Sequence, residues 1–198
     1  MERSLLAIPS LKEFFRGLLA QASGHQGVRL GEGAEFYLVN LLSEFAASDK
    51  LFARDEESGE TREEALALLY HRALQAPKEE RIRHLRRLGD VSLYTAGFFG
   101  DALRERPVGP DYYIRMGGTA YGEVANLASG GSSGIYAELG AKFAALVEVL
   151  AEIAARGLVA HGAEGALKVY ESWNRTGSES LQRVLVEAGW VTPGGLVN

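Results

Sequence analysis

The strongest constraint on this chain is the spacing of its large apolar residues. They recur three and four positions apart, and no stretch settles into the strict alternation of a half-buried strand. Leu11, Phe14, Phe15, Leu18 and Leu19 repeat at i, i+3, i+4, i+7 behind Ser10, a residue suited to an N-cap. Phe36, Val39, Leu42 and Phe45 carry a similar period through a helix over 34–48. Thr61 and Glu64 have the T-x-x-E spacing of a capping box and open a third helix reaching about residue 76. Pro77 suits the first turn of the next helix, which runs over 78–106 and ends before Pro107.

A fifth helix is expected over 111–128, capped by Asp111. "IYAELGAKFAALVEVLAEIAAR" reads as one uninterrupted helix stopped by Gly157 at its C-cap. Two shorter helices over 163–174 and 178–188 complete the pattern. The expected fold is an all-α bundle of seven or eight helices, with 78–106 and 111–128 as a central antiparallel hairpin. The glycine-rich stretch 23–33, the acidic "DEESGE" at 55–60 and "SGGSSG" at 129–134 read as loops.

At 198 residues the chain fits a single all-helical domain, 1–198, with 190–198 as a frayed tail. It is long enough to bury a core without disulfides or a structural metal. It contains no cysteine, which removes thiolate zinc sites, iron–sulfur clusters and cysteine nucleophiles. A net charge of -5 argues against a nucleic-acid partner. Pro9 breaks the first apolar run and Lys12, Glu13 and Arg16 follow it, unlike a leader peptide. No run is long and apolar enough to span a membrane, so a cytoplasmic protein is expected.

Familiar catalytic signatures are missing: there is no phosphate loop, H-E-x-x-H or nucleophile elbow. His161 and Glu164 share a helix face, but two ligands are too few for a metal, and no metal site is expected. His84 lies in "RIRHLRR", read as a solvated basic face or, alternatively, as a seat for an acidic partner or an anion. "SGGSSG" precedes a helix and suits either a linker or an anion cradle, although it holds no lysine or arginine. No residue pattern identifies a cofactor, and a haem held by a single histidine would need no local motif.

The most distinctive stretch is "LGDVSLYTAGFFGD", Leu88–Asp101. Asp90, Tyr94, Gly97 and Asp101 fall on one helical stripe. Arg115, Thr119, Gly122 and Asn126 repeat that spacing on the next helix. With a hairpin centred near Val108 the stripes face each other, Asp90 level with Asn126 and Asp101 paired with Arg115. Two readings follow. In one, the stripes form a structural polar layer inside a ligand-binding or protein-interaction module without its own catalysis, and the apolar residues of the N-terminal helix suit a homodimer seam. In the other, Asp90, Tyr94, Arg115, Tyr121, Glu123 and Asn126 line a pocket for a small molecule or cofactor in an enzyme or sensor.

Overall fold

The computed structural model describes residues 10–47, 62–192 and 195–196. Among these residues the chain is all-helical, with nine helices packed together. They are α1 (Leu11–His25), α2 (Glu32–Ala47), α3 (Arg62–Gln75), α4 (Lys78–Arg104), α5 (Pro110–Leu127), α6 (Gly131–Ala141), α7 (Phe143–Ala160), α8 (Ala163–Thr176) and α9 (Glu179–Glu187). Two strands of two residues each, β1 (Val191–Thr192) and β2 (Gly195–Leu196), pair antiparallel after α9. The expected capping box rests on Thr61, which lies outside the described residues, as does the acidic loop 55–60.

Ser10 caps α1 as expected. Its hydroxyl accepts from the Glu13 amide at 3.2 Å, and the Glu13 carboxylate accepts from the Ser10 amide at 2.7 Å. That reciprocal pair satisfies two backbone donors a helix start would otherwise leave free. Pro110, rather than Asp111, begins α5, where its missing N–H costs nothing.

α4 runs through the centre of the bundle. Leu85, Leu88 and Leu93 are fully buried, and α5, α7 and α3 pack around the helix. α4 is not straight in conformation: Phe99 has φ -125° and ψ 17°, so the last turn departs from the line of the rest. Glycines let the neighbouring helices close in. A β-carbon on Gly89 would run into the Tyr121 ring, and one on Gly117 into Phe143 and Ser92. α6 crosses α5 with Gly140 close to the backbone of Gly118 and Gly122, at 3.2 Å from each to an ideal Gly140 β-carbon.

Four expectations are corrected here. "SGGSSG" is largely helical, because Gly130 takes φ 70° and turns the chain directly into α6. The Ser133 hydroxyl then donates to the Ala125 carbonyl at 2.7 Å and ties that turn to the end of α5. The expected helix through "IYAELGAKFAALVEVLAEIAAR" is divided at Lys142, whose ψ of 11° and φ of -100° separate α6 from α7. Gly157 lies inside α7, which ends at Ala160, and Gly162 supplies the positive φ that starts α8. Finally, the tail is not frayed throughout: Val191 is buried and pairs with Leu196.

The apolar interior has two parts. The larger joins α1 to α7 and contains most of the buried leucines. The smaller gathers Ala155, Val169, Val184, Leu185 and Val191 from α7, α8, α9 and β1. α7 contributes to both, with Ile153 in the first and Ala155 in the second.

Candidate functional site

The α4–α5 contact is the place to which the sequence points, and its register differs from the expected one. Asp90 meets Tyr121, five positions before Asn126 on α5. The Tyr121 hydroxyl donates to Asp90 Oδ1 at 2.8 Å, and the Tyr37 hydroxyl of α2 donates to the same oxygen at 2.5 Å. Tyr136 of α6 packs against both phenol rings, with centroids 5.4 and 5.7 Å away. Asp90 is therefore a buried carboxylate shared by three elements, α2, α4 and α5.

Burial pushes the Asp90 carboxyl up, against the pull of both tyrosine hydroxyls and of the Arg86 and Arg87 charges. Burial beside that carboxylate also raises the Tyr37 and Tyr121 phenols, so both remain donors. A carboxyl that titrates higher in the fold than in the unfolded chain, where the value is about 3.9, stabilises the fold when protonated. That contribution is complete at low pH and is lost as pH rises through the raised value. Asp90→Asn is expected to flatten this limb of the stability curve in urea unfolding as pH rises from the unfolded value of about 3.9. An unaltered slope would count against an up-shifted carboxyl. Asp90→Ala removes the acceptor shared by the buried Tyr121 hydroxyl and the half-buried Tyr37 hydroxyl, and a loss of about 1–3 kcal/mol is expected.

The other expected site residues are dispersed. Tyr94 turns toward α2, stacked between Phe45 at 4.4 Å and Phe98 at 4.5 Å. Glu123 holds α3 and α4 to α5, accepting from Tyr70 and from Arg81, each at 2.9 Å. Arg115 and Asn126 are exposed. The expected Asp101–Arg115 pair is replaced: Asp101 lies 3.2 Å from Arg175 of α8 and 3.9 Å from Arg104. Part of the reason lies at Phe99, whose non-helical conformation breaks the stripe between Gly97 and Asp101. Gly97 faces Leu150 of α7, and Gly122 lies against Gly140 of α6. Side chains fill the interval between α4 and α5, with Tyr121 over Gly89 and Ser92 against Gly117.

His161 bonds to the Gly157 carbonyl and Glu164 pairs with Lys168, so the H-x-x-E residues have separate partners. Among the described residues no group of three candidate ligands could hold a metal.

No family model, curated protein or solved structure matches this chain. Its own geometry therefore carries the functional argument, and it directs attention to the other end of α7.

There Glu152 is completely buried, yet both its oxygens are bonded. Oε1 accepts from Arg156 Nη2 at 2.8 Å and sits 2.8 Å from His25 Nδ1, while Oε2 accepts from Gln26 at 3.0 Å. His25 Nδ1 also lies 3.1 Å from Arg156 Nη2, so the imidazole edge sits between the carboxylate and the guanidinium. Arg156 Nη2 continues to Glu187 Oε2 of α9 at 2.8 Å, and His25 Nε2 lies 3.9 Å from Glu187 Oε1. Burial pulls the Glu152 carboxyl up, but the hydrogen bonds from Gln26, His25 and Arg156 outweigh it and hold it below the usual range.

Arg156 and Glu187 also form the polar end of a cleft of about 470 Å³, whose other lining is Val159, Ala160, Val184, Ala188 and Trp190. Trp190 is 42% exposed there, a large aromatic surface left without full cover. Sequence reasoning missed this site. Its legible signal was Glu152 at helical spacing from Val149 and Ala155, with Arg156 one turn on: a carboxylate on an otherwise apolar face. His25 and Glu187 arrive from loop-flanking positions far along the chain, and no local pattern announces them. Among the described residues no helix is long and apolar enough to cross a membrane.

Proposed function

We propose that the chain is a helical binding module without catalysis of its own, and that the cleft between α7 and α9 holds a small molecule. The observation carrying this reading is Trp190, exposed at a concave surface where apolar side chains meet the Arg156–Glu187 pair, which is anchored to a buried carboxylate. Ligand sites commonly combine an apolar wall with a few fixed polar groups. Arg156 is fixed here by Glu152 and Glu187 before any ligand arrives, so little ordering cost falls on binding. The alternative of an enzyme or sensor built on the α4–α5 stripes has less support, because Tyr121 occupies the space over Gly89 and Arg115 and Asn126 are exposed.

A thermal-shift screen of small aromatic compounds tests the cleft. Stabilising compounds should appear with the intact chain and lose their effect in Trp190→Ala. Shifts that survive that substitution would place binding elsewhere.

A second reading, a homodimer seam on α1, is favoured by Leu11 and Phe14, which are 43% and 53% exposed one turn apart. Sedimentation should then show a dimer that Phe14→Glu converts to monomer. Equal sedimentation of the two proteins would remove this reading.

A further inference from the structure

The hydrogen-bond inventory of the cleft narrows the kind of molecule it suits. Arg156 spends Nε and Nη2 on Glu152 and Glu187. Among the described residues its Nη1 has no acceptor, and it is not among the buried atoms lacking a partner, so it remains open to solvent. Glu187 spends Oε2 on Arg156, while Oε1 stays 3.9 Å from His25, beyond hydrogen-bond reach. The polar end thus presents one free donor group beside one free acceptor. The cleft lining holds one charged side chain of each sign, Arg156 and Glu187. An anion would face Glu187 and a cation would face Arg156, so a full charge of either sign meets one opposing group.

We infer that the cleft selects a neutral carboxamide on an aromatic body, with the amide oxygen accepting from Arg156 Nη1, the amide N–H donating to Glu187 Oε1, and the ring lying against Trp190. This inference rests on the reading of the cleft as a ligand site. Val184, Ala188 and Val159 supply the apolar surround, and no polar group of the ligand would need to enter it. A donor–acceptor pair covered by the bound ligand discriminates between ligands, because one lacking the matching group leaves one protein partner unpaired.

Three probes of similar size and different charge separate the possibilities: benzamide, benzoate and benzylammonium. Each is titrated into the full chain while the indole N–H resonance of Trp190, identified with Trp190→Phe, is followed by NMR. Benzamide is expected to shift that resonance saturably and to bind at least about tenfold more tightly than either ion, a difference of about 1.4 kcal/mol. Glu187→Ala removes the acceptor and releases the Arg156 charge, so the order should invert to favour benzoate. Equal binding of the three probes, or a preference for an ion, overturns the carboxamide assignment and leaves the cleft reading standing. Retention of the benzamide preference in Glu187→Ala also overturns the assignment. No response to any probe overturns both.

Discussion

Glu152→Ala is expected to cost about 3–5 kcal/mol of folding stability, the scale for removing one partner of a buried ion pair. Glu152 has no exposed surface, and its carboxylate is where α1, the following turn and α7 meet through His25, Gln26 and Arg156. Truncation leaves the Arg156 charge half-buried with only Glu187 to answer it. Glu152→Gln keeps the shape and one acceptor, so its loss should be smaller. The pH dependence separates the two effects. The folded carboxyl is held below its unfolded value of about 4.3, so its contribution is present above that value and is lost as pH falls through the lowered one. Glu152→Gln should therefore remove part of the acid limb of the stability curve while lowering stability at neutral pH. Urea unfolding of the three proteins at about pH 7 and about pH 4 checks this. A neutral-pH loss for Glu152→Ala below about 1 kcal/mol, the scale of an exposed pair, would contradict a buried network.

Gly117→Ala is expected to destabilise by about 1–3 kcal/mol through overpacking. The added methyl would occupy space held by the Phe143 ring and lie 2.8 Å from Ser92 Cβ. The ring has buried neighbours, and the Ser92 β-carbon is fixed by the α4 backbone, so neither can withdraw without moving a helix. Gly100→Ala supplies the opposite case. Its β-carbon would meet open space within α4, and helix propensity alone predicts a gain of up to about 1 kcal/mol. The sign difference between two identical substitutions is the measurement: equal effects in chemical denaturation would mean that the close α4–α5 approach does not hold in solution.

Helical periodicity made the fold class legible because it reports which side of a segment is buried, and burial here follows one-faced packing for α1, α8 and α9. Helix ends were less legible. Lys142 divides α6 from α7 without proline or glycine at the break, and Gly157 is carried inside a helix that packing stabilises. The same limit applied to the site. Asp90 and Tyr121 were identified as polar residues on neighbouring helices, and they do meet, but their register was inferred from a straight hairpin. The departure at Phe99 and the demand of Gly89 for the Tyr121 ring set a different level. Tyr37 contributes from α2, and sequence spacing carries no information about a hydroxyl that arrives across fifty-three positions.

The sharing of α7 between two apolar clusters bears on how the chain opens. The smaller cluster has five buried residues, so its loosening is the less costly event. Amides of α8 and α9 can then exchange with solvent at the rate of that partial opening, while those around Leu85 and Leu146 wait for the whole bundle to part. Glu152 and Arg156 stand at the seam, and α9 carries Glu187 away when it lifts. A ligand seated against Trp190 would close that seam as it bound. Its signature would be slowed exchange in α8 and α9, far beyond the residues it touches, with the α4–α5 core unchanged.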